Sequence, residues 1–154
     1  MIAGNYILRY FIRSFAVFVF ILTAISSTVF GLNYYWVGGS GNWSDISHWA
    51  STSGGTTNYF IVPTAADDVY FDINSFTVPI ATVTVNTNAV CRNMSWTGAR
   101  FNPVFSCPGS YSIRIYGSLT LISAMNLSCF GDVLFEATTT GKTVTTNGKS
   151  IGAL

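Results

Sequence analysis

The sequence predicts an all-β chain built as a right-handed parallel β-helix, or solenoid, behind an N-terminal hydrophobic signal helix. Three observations predict it. Beyond Gly31 no stretch of about ten residues carries apolar side chains at the i, i+3, i+4, i+7 spacing of an amphipathic helix. Short alternating runs rich in Val, Ile, Thr and aromatic residues appear instead, as strands prefer. Charged residues make up only 8% of the chain, against about 25% in an ordinary soluble domain. The surface must therefore be carried by Thr, Ser, Asn and Gly.

The chain opens on Arg9 and Arg13, the only charged side chains before Asp45. They stand ahead of the apolar run SFAVFVFILTAI at residues 14–25. A positive segment followed by an apolar one is the pattern of a secretory signal peptide, here residues 1–31. Cleavage after Gly31 suits the small residues nearby; bonds after Ala24 or Ser27 are the alternatives. The rival reading is an uncleaved anchor. A spanning helix needs about 20 mostly apolar residues, and Ser26 and Ser27 close this run early, although Val29 and Phe30 extend it to a marginal span. The expected location is therefore extracellular or cell-surface, with membrane contact only through this segment.

Removal of residues 1–31 leaves 123 residues, enough for one domain with a real core. Five Lys and Arg then face six Asp and Glu. A nearly neutral chain has no basic patch for phosphates, which argues against nucleic acid as a partner. Export permits a disulfide, but Cys91, Cys107 and Cys129 are odd in number, so at least one is left unpaired within the chain. Cys91–Cys107 and Cys107–Cys129 are both open as pairings. No zinc spacing is present, and His48 is the only histidine. The third thiol reads as a small buried apolar side chain.

Predicted strands follow at residues 69–71 (VYF), 81–85 (ATVTV), 112–116 (SIRIY), 118–122 (SLTLI), 132–135 (DVLF) and 142–146 (KTVTT). Turn residues separate them: Gly98, Asn102-Pro103, Pro108-Gly109, Gly117, Gly131, Gly141 and Asn147-Gly148. The inward pairs at 83–85, 113–115 and 133–135 recur at intervals of 30 and 20 residues, and 119–121 matches 143–145 at 24. Coils of about 20–30 residues suit a solenoid, in which each coil buries its apolar face on the next. A two-sheet β-sandwich is the competing architecture. Residues 32–72 form the expected Trp-rich cap and residues 73–154 the coils. The closing segment GKTVTTNGKSIGAL has no capping element. It carries the expectation that the chain is the N-terminal piece of a longer protein or stacks on a partner.

The densest motif is YYWVGGSGNWSDISHWA at residues 34–50, followed by VPTAADDVYFD at 62–72. Trp36, Trp43 and Trp49 lie seven and six residues apart, with tight turns at Gly38, Gly39 and Gly41, and Asp45 is placed to cap a short turn. This pairing of motifs resembles the N-terminal region of large secreted, repeat-rich, adhesin-like surface proteins of Bacteroidetes-type bacteria. A similar start precedes β-helical passenger domains of autotransporter-like proteins. AVCRNMSWTGA at 89–99 and GSLTL at 117–121 extend the likeness over roughly residues 34–151. The resemblance implies an exported structural protein that continues into further repeats or modules; no cofactor is expected. Its expected partners are extracellular glycans or surface proteins.

Candidate sites are few. Trp36, Trp43 and Trp49 can either stack on a sugar, which requires exposed ring faces, or cap the first coil. Asp67, Asp68 and Asp72 are a possible Ca²⁺ set, but adjacent strand residues point to opposite faces, which favours a turn capped by Asp67. Asp132 and Glu136 stand four apart without the facing partner that glycoside hydrolysis needs. His48 belongs to no nucleophile motif. Asn42, Asn93 and Asn126 each match the N-glycosylation pattern by chance composition. The expectation is a non-catalytic β-repeat protein, with a carbohydrate-binding module or a β-helix polysaccharide-degrading enzyme as alternatives.

Overall fold

A computed structural model describes residues 30–151. The signal-peptide and anchor readings rest on residues that lie almost wholly outside that range. No helix among the described residues is long and apolar enough to cross a membrane.

The described chain is all-β, and it winds as a solenoid of about three turns. The first strand, β1 (Asn33–Trp36), is followed by β2 (Gly41–Asn42), a 3-10 turn (Ile46–His48) and β3 (Trp49–Ala50). Three complete coils succeed it. One holds β4 (Asp68–Tyr70), β5 (Thr82–Thr84) and β6 (Ala89–Cys91). The next holds β7 (Met94–Ser95), β8 (Val104–Cys107) and β9 (Ile113–Ile115). The last holds β10 (Leu119–Thr120), β11 (Asn126–Cys129) and β12 (Val133–Phe135), after which β13 (Val144–Thr145) begins another turn.

Each strand pairs in parallel with the strand one coil away. The result is three sheets, ordered β13-β10-β7-β4-β1-β3, β11-β8-β5-β2 and β12-β9-β6. A β-sandwich would instead pair chain neighbours in antiparallel fashion. Among the described residues antiparallel pairing is confined to β3 on β1 and the isolated Ala50–Asn58 bridge beside it, at the outer edge of the first sheet. The parallel pairing also runs across residue 72, because β4 joins β1 on one side and β7 on the other.

The period is 25 residues in the first sheet. Val69, Met94, Leu119 and Val144 are successive partners in one inward row. This corrects two sequence readings. Leu119 pairs with Val144 and not with Thr143, a slip of one residue that exchanges inside for outside. Val83 belongs to the second sheet beside Phe105, whereas Ile113 and Val133 are true partners in the third. The three strands of a coil look alike in sequence, so alternation alone cannot say which face of the solenoid a strand lies on.

Polar side chains at the corner before the first sheet fix the register. Asp68 Oδ1 accepts the Asn93 amide at 3.2 Å, Asn93 Oδ1 accepts the Ser118 amide at 2.7 Å, and Ser118 Oγ accepts the Thr143 amide at 3.1 Å. Each side chain thus satisfies a backbone donor one coil on that the strand ladder leaves unpaired. Gly117 is required here, since a Cβ would lie 2.2 Å from Asn93 Oδ1 and 2.8 Å from the Arg92 carbonyl oxygen.

Candidate functional site

The aromatic end of the core is the densest cluster of distinctive side chains. Tyr34, Trp36, Trp43 and Trp49 from the first coil meet Phe71, Phe76 and Trp96 from the next two, and all are buried. Phe71 and Trp96 stack at 3.8 Å between centroids, and Trp36 meets Trp49 edge-on at 5.0 Å. Trp49 also meets Trp43 edge-on at 4.8 Å. The inward positions of successive coils fall above one another, so the aromatic residues pile along the axis.

Trp36, Trp43 and Trp49 each have 0% exposure. The sugar-platform reading of these three residues is therefore corrected: a ring must present a free face to stack on a saccharide, and none of them does. Magnitudes point the same way. Burying about 200 Å² of indole contributes roughly 5 kcal/mol, whereas an aromatic contact beyond burial adds about 1 kcal/mol. The Trp36 Nε1–H donates to the Gly39 carbonyl at 2.7 Å and the Trp49 Nε1–H to the Trp43 carbonyl at 2.8 Å. The indole N–H groups of Trp43 and Trp96 and the Tyr34 hydroxyl are buried with no hydrogen-bond partner among the described residues. Burial, reinforced by the nearby Asp67 charge, pushes the Tyr34 phenol up to about 12.

His48 closes the outside of this cluster. Its ring lies parallel to Trp36, with centroids 4.5 Å apart, and its Nδ1 is 2.6 Å from the Val37 carbonyl oxygen. Gly41 leaves room for it; a Cβ there would lie 2.1 Å from His48 Nε2. Asp45 caps the 3-10 turn as its position suggests, accepting from the Ser47 amide at 2.9 Å and the Ser47 hydroxyl at 2.7 Å. These bonds hold the Asp45 carboxyl below the usual carboxylate range. His48 Nε2 lies 4.0 Å from Asp45 Oδ2, while Ser47 Oγ donates to the other Asp45 oxygen, so the three side chains brace one turn.

The acidic residues at 67–72 separate into three different tasks. Asp67 accepts from the Leu32 amide at 2.8 Å, and from the Thr64 amide and hydroxyl at 2.8 and 2.6 Å, so it ties the turn before β4 to the residue that leads into β1. Asp68 takes Arg92 bidentately, at 2.7 Å to both Nε and Nη2, and accepts from Asn93 Nδ2 at 2.8 Å. Burial would raise the Asp68 carboxyl, but the hydrogen bonds from Arg92 and Asn93 outweigh it and the net shift is downward. Asp72 accepts from the Asn74 amide at 2.9 Å. Among the described residues no three His, Cys, Asp or Glu side chains come together to hold a metal ion.

The remaining candidates are also dispersed. Glu136 pairs with Arg114 on the outside of the third sheet and Asp132 sits at a corner, where its backbone carbonyl accepts the Ile113 amide. Asn93, one of the three glycosylation-pattern asparagines, is consumed by the corner ladder. Cys107 and Cys129 are direct register partners on β8 and β11 and form a disulfide. Cys91 is a free, buried thiol whose pKa is raised by burial.

Sequence reasoning missed Arg92, Asn93 and Trp96 as parts of this assembly. The signal that finds them is the 25-residue interval, which aligns Phe71 with Trp96 and Asp68 with Asn93. Compared with known proteins, the chain matches no family model, no curated protein and no solved structure.

Proposed function

We propose that this chain is an exported, adhesin-like β-repeat protein of the cell surface or extracellular space. Its solenoid displays or spaces other modules and performs no catalysis. The carrying observation is the coil-on-coil stack: the distinctive residues, including all four tryptophans, are spent on the core, and the carboxylates on turns and ion pairs. Two further features support the reading. A disulfide persists best in an oxidising compartment, and Cys107–Cys129 sits on facing strands. The outer rows Tyr35–Tyr70–Ser95–Thr120–Thr145 and Asn42–Thr84–Ser106–Ser128 are uncharged, an exterior suited to extracellular glycans or surface proteins. The coil is taken as right-handed, the sense adopted by about 98% of parallel crossovers. The likeness of residues 34–50 and 62–72 to Bacteroidetes-type surface proteins fits the same assignment.

The test is export. The full chain is expressed with a C-terminal tag in a bacterial host, and the mature N-terminus is sequenced. A new N-terminus at or before Leu32, with the tag outside the cytoplasm, is expected. A cytoplasmic product that retains Met1 would overturn the reading.

A further inference from the structure

The segment at 59–62 presents two apolar side chains to solvent between two that point inward. Tyr59 and Val62 pack against the core, whereas Phe60 is 93% exposed and Ile61 59%. Both shoulders of this tip are pinned to the residues that lead into β1. The Tyr59 ring lies on Tyr34 at 4.1 Å between centroids, and its hydroxyl donates to the Asn33 carbonyl at 3.2 Å. On the other shoulder Ala66 sits so close to Gly31 that a Cβ there would fall 1.8 Å from the Ala66 carbonyl oxygen. Phe30 and Leu32, which flank Gly31, are themselves exposed.

The surroundings of the tip suit an apolar phase. The loop that leads to it, STSGGTTN at 51–58, is polar and uncharged. From residue 30 to residue 66 the only Asp, Glu, Lys or Arg is Asp45, so little charge must be stripped of water on approach. Reach then decides what that phase is. The uncharged apolar run at 14–25 is separated from Phe30 by four residues. The five chain steps from Ile25 to Phe30 span at most roughly 18 Å at full extension. A run of this composition is directed to a bilayer. Any bilayer it enters therefore lies within that distance of Phe30, at the end of the solenoid that carries the tip.

We propose that Phe60 and Ile61 form a lipid-contacting tip, which enters the interfacial layer of the bilayer met by residues 14–25 and seats the solenoid on the membrane by its β1 end. Apolar side chains of interfacial elements bury about 5–10 Å into the boundary between headgroups and acyl chains. Tyrosine is enriched at the same level, where Tyr59 stands beside the tip. A protein partner would give no reason for the tip to stand where the apolar run joins the fold. The inference rests on reading residues 1–31 as the export segment, and it names the part of the folded module that meets the membrane which that segment enters.

The test uses the burial of all four native tryptophans: Phe60→Trp gives the chain one exposed indole at the tip. The full chain, residues 1–31 included, is reconstituted in phosphatidylcholine vesicles, either plain or brominated on the acyl chains. Phe60→Trp is expected to lose roughly half of its added emission to the bromines, and to shift to the blue, because a side chain about 5–10 Å deep lies within their reach. The comparison variant is Phe130→Trp, at a position 76% exposed that follows β11. It stands three strand spacings, roughly 14 Å, further along the stack, and should lose none. Both positions are open to solvent, so both variants should melt with the parent. An unquenched indole at position 60, equal quenching at the two positions, or a chain that does not join the vesicles would overturn the proposal. So would a blue shift of Phe60→Trp that grows with protein concentration in the absence of lipid, which would make a second copy the occupant. Export is scored separately: an exported chain whose tip stays unquenched sinks this inference alone, and a quenched tip on a chain that is never exported sinks only the surface assignment.

Discussion

Asp68 and Arg92 are locked across one coil by two hydrogen bonds of 2.7 Å, and the same carboxylate accepts from Asn93. The pair sits where β4 and β7 begin, so it sets the register of the second and third coils together. Asp68 is nearly buried, while the Arg92 side chain is 42% exposed, which screens part of the attraction. Asp68→Asn is expected to destabilise the fold by about 2 kcal/mol, measured by urea denaturation at neutral pH. A change within experimental error would remove the pair from the register argument.

The same contact makes the protein acid-sensitive. The native Asp68 carboxyl lies below its ordinary value. A depressed carboxylate stabilises the fold above its unfolded pKa, about 3.9, and loses that contribution as pH falls through the native value. The melting temperature of the parent should therefore fall below about pH 4 more steeply than that of Asp68→Asn. Parallel pH profiles for the two chains would refute the assignment.

The aromatic end carries a prediction that separates packing from ligand recognition. Trp43 is fully enclosed and contacts Trp49 edge-on. Trp43→Ala should cost about 3–5 kcal/mol, and Trp43→Phe much less, because most of the buried area returns. Calorimetry of the two variants tests this. A Trp43→Ala chain of parental stability that has lost glycan binding would restore the sugar-platform reading.

How much of this was legible in the sequence depends on which periodicity is considered. Alternation at residues 81–85 and 113–115 shows strands, because period 2 is a property of the single strand. The coil is a longer-range property. Its 25-residue interval is masked between Tyr34 and Val69 by the 3-10 turn, β3 and the loop at 51–67, which lengthen that interval to 35 residues. The Leu119–Val144 register was missed by one residue, because Thr143, Thr145 and Thr146 alternate as well outward as inward. The Asp45 cap and the Asp67–Thr64 turn were readable, since both act within three residues of sequence, whereas the bond from Leu32 to Asp67 spans 35 residues and was not. The Asp68–Arg92 pair was not, as its partners are brought together only by a complete turn of the solenoid.

The register ladder offers a sharper test of how the coils are held. Asn93 donates to Asp68 and accepts from the Ser118 amide, and Gly117 lies against it with no space for a Cβ. Asn93→Ala removes both bonds and strands the Ser118 amide, which should cost about 1–3 kcal/mol. Gly117→Ala should also destabilise, by displacing the Asn93 side chain. The two effects should not add: once Asn93 is alanine, the Oδ1 that blocked a Cβ at Gly117 is gone, and only the contact with the Arg92 carbonyl remains. A double-mutant cycle therefore has a coupling energy of about 1 kcal/mol, and strict additivity would show that the ladder does not hold the coils in register.

The cysteines bring compartment and fold into one measurement. Cys107 and Cys129 are bridged across β8 and β11, and Cys91 is enclosed one sheet away. Protein recovered from outside the cytoplasm should present one alkylatable thiol when unfolded without reductant, and three after reduction. Without denaturant Cys91 should resist alkylation, because burial keeps it as the unreactive thiol. Replacing the bridge with Cys107→Ala and Cys129→Ala should lower stability by about 2–4 kcal/mol, with the largest loss of hydrogen-exchange protection in the coil of β10–β12. Among the described residues that coil is paired at its far edge only through β10 with β13, so the covalent link to β8 has its greatest effect there. Three thiols titrating in the unreduced exported protein would eliminate the bridge.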